Sequence, residues 1–236
     1  MKNEKNLCGK ELIEALTQIS KAITSERYLD DILKLIVVVT AQLMGSNICS
    51  IMLVNEKTNQ LIMKATQSMS ELYNKKKPLK VGEGIAGRVI QTKKPIAVKD
   101  ISKSKEYLYK EIAKKEGLTS MLSVPLSVKG RIIGVLNCYT PQLHVFSENE
   151  KNILVTIANQ AAIAIENTEL IVKSKVIREE LESRKFIERA KGMIMKEEGI
   201  SEAEAYMKIR KFSMDNRKTM REIAEAIILS GEMRKI

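Results

Sequence analysis

A chain of 236 residues with 44% hydrophobic side chains is long enough for a sensor-sized domain followed by a small helical one, and it can bury a real core. Its net charge of +11 permits a polyanionic partner. Three cysteines without a CxxC spacing and one histidine, His144, leave too little material for a disulfide frame, a His-based metal site or a Cys-His nucleophile. Cys8, Cys49 and Cys138 are therefore read as reduced, structural thiols, and no catalytic residue, metal or cofactor is expected. The polar start at residues 1–6 has no apolar segment behind it. The longest apolar run, 35–44, falls short of the ~20 residues of a membrane span, so a cytoplasmic protein without a membrane partner is expected.

Leu12, Ile13, Leu16, Ile19, Ala22 and Ile23 recur at three- and four-residue steps, which predicts an amphipathic helix. A second helix follows over 29–43, with Gly45 as its cap. The period then changes to two at 47–54 and 61–66, paired strands across a turn at 55–59. Gly82-x-Gly84-x-x-Gly87 contains the spacing of a dinucleotide loop. That reading needs a long crossover helix in a parallel sheet, and Pro95 and a short strand at 96–98 follow too soon. Residues 106–116 are expected to be helical and capped by Gly117. Strands at 120–128 and 131–139 form a hairpin over Lys129-Gly130, with Pro125 marking a bulge or a strand edge.

Ser147 and Glu150 form a capping box that opens a helix with neither Gly nor Pro until Gly192. Some 45 residues rising ~1.5 Å each would span about 70 Å and need a partner along the middle. Placing Ile163, Leu170 and Ile177 at d puts Gln160, Asn167, Ser174 and Leu181 at a, a weak seam for a parallel homodimer through Ile163, Asn167, Leu170, Ile177 and Leu181. Packing of residues 163–170 on the chain's own sheet is the other reading.

Three short helices are expected after Leu181. The first buries Phe186, Ile187, Ala190, Met193 and Ile194 and ends at Gly199. The second opens with Ser201-x-x-Glu204 and buries Ala205, Ile209 and Phe212. The third opens with Thr219-x-x-Glu222 and buries Met220, Ile223, Ala224, Ile227 and Ile228. Segments 184–196 and 208–221 hold eleven basic and two acidic residues, the cluster to which a polyanion would bind. Gly192 stands inside this basic helical pattern. A helix-interior glycine costs about 1 kcal/mol relative to alanine, so its presence points to a close approach to the backbone.

The set Gly82-x-Gly84-Ile85-x-Gly87, Pro95-Ile96-x-Val98-x-Asp100, Ser123-Val124-Pro125-Leu126, Ile133-Gly134-Val135-Leu136, Phe146-Ser147-x-x-Glu150 and Ala158-x-Gln160-Ala161-Ala162-x-Ala164-Ile165-x-Asn167 resembles a GAF domain over residues 10–170. The resemblance implies an antiparallel sheet flanked by helices, serving as a small-molecule sensor or dimerisation module. The Asn-Lys…Phe…Asp-Glu pattern of cyclic-nucleotide members and the Cys-His dipeptide of bilin binders are absent. So are loop cysteines between Cys49 and Cys138 of the kind a methionine sulfoxide reductase uses, and no enzyme activity is expected.

Arg184-x-x-Ile187-x-Arg189-Ala190-Lys191-Gly192-x-Ile194-Met195, then Gly199, Ser201-Glu202-x-x-Ala205-Tyr206, Arg210, Ser213-Met214 and Thr219-x-x-x-Ile223-Ala224, resembles an ANTAR domain over residues 181–236. The resemblance implies binding to paired RNA hairpins in a nascent leader transcript, which opposes terminator formation so that polymerase reads through. It places the RNA surface at Arg184, Arg189, Ala190, Lys191, Gly192, Tyr206, Arg210, Lys211, Arg217 and Lys218, with Ala190 and Gly192 permitting close approach and Tyr206 either stacking on a base or joining the core. The expected class is α+β: a GAF-type sheet flanked by helices, a helical coiled-coil connector at 171–180 and a three-helix bundle. Expected partners are RNA, a second copy of the chain and a small-molecule effector. The alternative is a ligand-sensing regulator acting through DNA or protein. The likeness of 219–224 to a helix-turn-helix lacks a recognition helix, because five residues follow Gly231.

Overall fold

The computed structural model describes residues 9–23 and 29–233, so the expectations for Cys8 and for the polar start lie outside the described residues. The chain divides into two compact units, Met1–Thr168 and Glu169–Ile236.

The first unit opens with α1 (Gly9–Ile23) and α2 (Leu29–Met44), which Gly45 ends in the left-handed region. A curled antiparallel sheet follows, built from β1 (Ile48–Asn55), β2 (Gln60–Thr66), β3 (Leu79–Lys80), β4 (Ile96–Val98), β5 (Ser120–Val128) and β6 (Arg131–Thr140) in the order β3-β2-β1-β6-β5-β4. The two-residue alternation of a strand decides what each face holds. Cys49 and Ile51 of β1, Leu136 and Cys138 of β6, and Leu122, Val124 and Leu126 of β5 share one face. They join Ile19, Leu33, Ile36, Leu154 and Ile157 in the largest core cluster. Each such side chain, fully buried, contributes about 1.5–3 kcal/mol relative to exposure. Met52, Val135, Tyr139 and Met121 take the opposite face, beneath α3 (Glu71–Asn74), α4 (Gly84–Thr92) and α5 (Lys110–Lys115).

Glycine geometry explains the Gly82-x-Gly84-x-x-Gly87 spacing without a nucleotide. Gly82 and Gly84 have φ of +87° and +64°, and a Cβ on Gly87 would stand 2.6 Å from the Lys80 carbonyl oxygen. The motif is a tight turn packed against its own helix. Lys129 and Gly130, both at positive φ, close the β5–β6 hairpin. Pro125 pairs with Val135 of β6, while β4 reaches only as far as Ser123, so the proline sits where β5 has become an edge.

The helix expected over 106–116 is shorter. Only α5 is helical, because Tyr107 turns into the core and Glu106 turns out to pair with Arg88. Cys49 and Cys138, 89 residues apart, are register partners on β1 and β6 with sulfurs 3.1 Å apart. Both are thiols, and burial pushes Cys49 well above its ordinary pKa, which suits a structural role. No helix of the described residues is long and apolar enough to cross a membrane.

The capping box at Ser147 and Glu150 starts α6 (Glu148–Glu198) as expected, with Ser147 N–H donating to Glu150 at 2.7 Å. On its first turns Ala158, Ala161, Ala162, Ala164 and Ile165 pack into the sheet's core. Ile163, Asn167, Leu170, Ile177 and Leu181 are all exposed, so Ile163 and Leu170 do not pack on the sheet. In the second unit α6 runs through Gly192 to Glu198 and is followed by α7 (Glu202–Asn216) and α8 (Met220–Met233). Ala190, Ile194, Ala205, Ile209, Ile223, Ala224 and Ile228 form a separate small core. Ser201 with Glu204 and Thr219 with Glu222 cap α7 and α8 reciprocally.

Candidate nucleic-acid interface

The basic residues of the second unit fall into two groups. Arg189 pairs with Glu232 at 2.6 Å, Lys208 with Glu198 at 2.5 Å, and Arg221 with Glu225 at 2.8 Å. Lys191 donates to Glu202 at 2.6 Å and to Glu188 at 2.9 Å, and these carboxylates hold its ammonium above the ordinary lysine range. Arg221 also reaches Glu182 of α6 at 3.8 Å, so all four cations tie one helix to another. Arg184, Lys185, Arg210, Lys211, Arg217 and Lys218 are exposed and form no ion pair among the described residues. Unpaired surface cations keep their charge available to an incoming phosphate, whereas a paired one must first give up its carboxylate.

Two expected surface positions are corrected. Ala190 is fully buried in the small core, because its small side chain lets α7 and α8 close over α6. Lys191, with its side chain 7% exposed, is a strap between α6 and α7. Phe212 is corrected in the other direction: expected in the core, it is 59% exposed. Periodicity places Phe212 on the same face as Ala205 and Ile209, but it lies a turn beyond the stretch that its neighbours cover. Tyr206 is 41% exposed, which removes the core reading. Phe212 and Lys185 are exposed beside the expected surface residues without having been expected there; for Lys185, its place beside Arg184 in the basic segment was the available signal.

Gly192 is exposed, helical and open, with no atom beyond its own stretch of helix within 4 Å of where a Cβ would stand. Neither backbone conformation nor internal packing requires glycine there. Gly192→Ala is therefore expected to stabilise the C-terminal helices by about 1 kcal/mol in thermal or chemical unfolding. A loss of stability would show that packing does require the glycine.

A groove of about 590 Å³ lies beside Tyr206, with Arg184, Ile187 and Arg221 on its walls and Glu179, Glu180 and Glu188 also lining it. An aromatic ring, two guanidinium planes and an apolar floor suit a stacked base. The carboxylates disfavour a phosphate in the same place.

Residues 26–166 match the family model described as GAF domain, and residues 175–228 the one described as ANTAR domain. The chain belongs to the GAF family and carries a C-terminal ANTAR domain. The ANTAR domain is 42% identical over 50 residues to the transcriptional regulatory protein PdtaR of Mycobacterium tuberculosis, covering 21% of this chain and 24% of that protein. The chain is also 26% identical over 159 residues to a phosphoenolpyruvate-dependent phosphotransferase system protein of Escherichia coli strain K12; that match covers 67% of this chain. The chain spans about a fifth of the length of these curated relatives, 21% in the E. coli case. Among solved structures, the GAF domain of a Coxiella burnetii phosphoenolpyruvate-protein phosphotransferase superposes with a TM-score of 0.64 at 25% identity, covering 72% of this chain and 99% of that one. A free methionine-R-sulfoxide reductase from Neisseria meningitidis, at 21% identity and a TM-score of 0.58, shares the fold alone, covering 68% of this chain and 91% of that one. The order along the chain is thus a GAF domain followed by an ANTAR domain.

Proposed function

We propose that the chain binds paired hairpins in nascent leader RNA, prevents the competing terminator from forming, and does so in the cytoplasm as a homodimer without enzymatic activity of its own. The observation that carries this reading is the surface of α7 and its following turn. Unpaired Arg210, Lys211, Arg217 and Lys218 are interleaved there with exposed Tyr206 and Phe212. Cations hold the phosphates of a hairpin stem, and exposed rings stack on unpaired loop bases. Arg184 and Gly192 extend the surface onto α6, where a residue without a Cβ lets the sugar-phosphate chain approach the helix. Arg189 and Lys191 act through the geometry they maintain.

Exposed Leu170, Ile177 and Leu181 share one face of α6 and form the apolar stripe that a second copy of α6 would cover. Two copies side by side match a paired-hairpin target, and this seam is where the GAF sensor would act on RNA binding.

The test is binding of the full chain to tandem hairpins transcribed from its own operon leader, followed through a salt titration. Tight binding that falls with salt and is lost when the loops are changed is the expected result. No binding at low salt, or equal binding to duplex DNA, would overturn the proposal.

A further inference from the structure

On the cavity face of the sheet, Lys76 follows α3 and turns its ammonium inward. Its Nζ stands 3.5 Å from the centroid of the Tyr73 ring, 5.2 Å from Tyr109 and 5.3 Å from Tyr139. No carboxylate pairs with it among the described residues. Burial draws its pKa down to about 7, opposed only by the more distant charge of Glu116. The floor is polar: Tyr73 donates to Ser50 at 3.2 Å, and Asn137 Nδ2 donates to the same oxygen at 3.4 Å. Tyr107, lining the same cavity, has a buried hydroxyl with no hydrogen-bond partner among the described residues.

Such a cage of π-faces attracts cations, and here the chain's own lysine occupies it. With Lys76 in place the cavity retains about 20 Å³, room for about one water. The backbone of this segment lies at the surface, since Lys75, Lys77 and Pro78 are exposed and Lys76 itself is only partly buried. Rotation of one side chain would empty the cage without moving the sheet.

We infer that this cavity is the sensor's ligand site, that Lys76 is a tethered stand-in for the ligand, and that the ligand is a small organic ammonium ion that displaces it. The inference rests on the sensor reading of the GAF domain. An anion would meet the negative faces of three tyrosines and finds no room while Lys76 stays. An ammonium takes over contacts already built, and the Tyr107 hydroxyl gains a partner.

The probe is n-butylammonium, as long as the lysine side chain, set against neutral n-butanol and anionic butyrate. Each is titrated by calorimetry into the full-length wild type, Lys76→Ala and Lys76→Met. Butylammonium is expected to bind Lys76→Ala at least about tenfold more tightly than wild type, because the tethered competitor is gone. Butanol is expected to bind far more weakly and butyrate not at all. Butanol binding as well as butylammonium, butyrate binding that depends on Lys76, or no gain in either folded variant would overturn the assignment. Hairpin binding by the wild type, measured in parallel, reports separately on the regulator reading.

Discussion

Replacing Arg210, Lys211, Arg217 and Lys218 together by glutamine is expected to weaken hairpin binding at least about a hundredfold at moderate salt, and to flatten the dependence of log K on log salt by about 3. The size follows from counting. Each phosphate neutralised contributes a slope of about 0.7 on a single strand and about 0.9 on a duplex stem, and four are removed. The loss should be nearly uniform across hairpin sequences, since phosphate contacts position a protein without reading bases. Folding should survive, because none of the four forms an ion pair among the described residues. The Ser213 hydroxyl donates to the backbone carbonyl of Lys218, a bond that the substitution leaves in place. Arg217 ends α7 at φ +53°, and glutamine there carries the same strain as arginine. Circular dichroism matching the wild type together with unchanged RNA binding would move the interface elsewhere.

Gly134→Ala is expected to cost the GAF domain about 3 kcal/mol or more, visible as a lowered denaturation midpoint or as loss of soluble protein. Gly134 lies on β6, between β1 and β5. A Cβ there would collide with the Met52 carbonyl oxygen and Leu53 Cδ2, and would stand 3.1 Å from Leu126 Cδ1. Side chains can turn away, but the Met52 carbonyl belongs to the neighbouring strand and cannot move without breaking its ladder. An alanine variant as stable as the wild type would mean that β1 and β6 sit farther apart than described. The same substitution at Gly192 has the opposite expected sign, because there the added methyl meets only solvent.

Much of this architecture could be read locally. The three capping boxes at Ser147, Ser201 and Thr219, the hairpin turn at Lys129-Gly130, and the change of hydrophobic period after Gly45 depend on residues within a few positions of each other. A local pattern acts before any tertiary contact forms, and so it shows in the chain itself. The basic cluster after Arg184 was equally visible, as composition.

Other features depended on residues far apart in the chain. Which cations are committed to Glu182, Glu198, Glu202 and Glu232 on another helix, and which remain unpaired, is a matter of how α6, α7 and α8 pack. Cys49 meets Cys138, and Lys76 meets Tyr73, Tyr109 and Tyr139, because strand register and loop path bring distant positions together. Phe212 is exposed although its period says core, since periodicity names a face and not how far along it a neighbour extends. The sequence by itself determined the elements, their caps and the two-domain order. Only the tertiary structure decided which charges are available to RNA and what fills the sensor cavity, because pairing and filling are properties of surfaces that the folded chain creates.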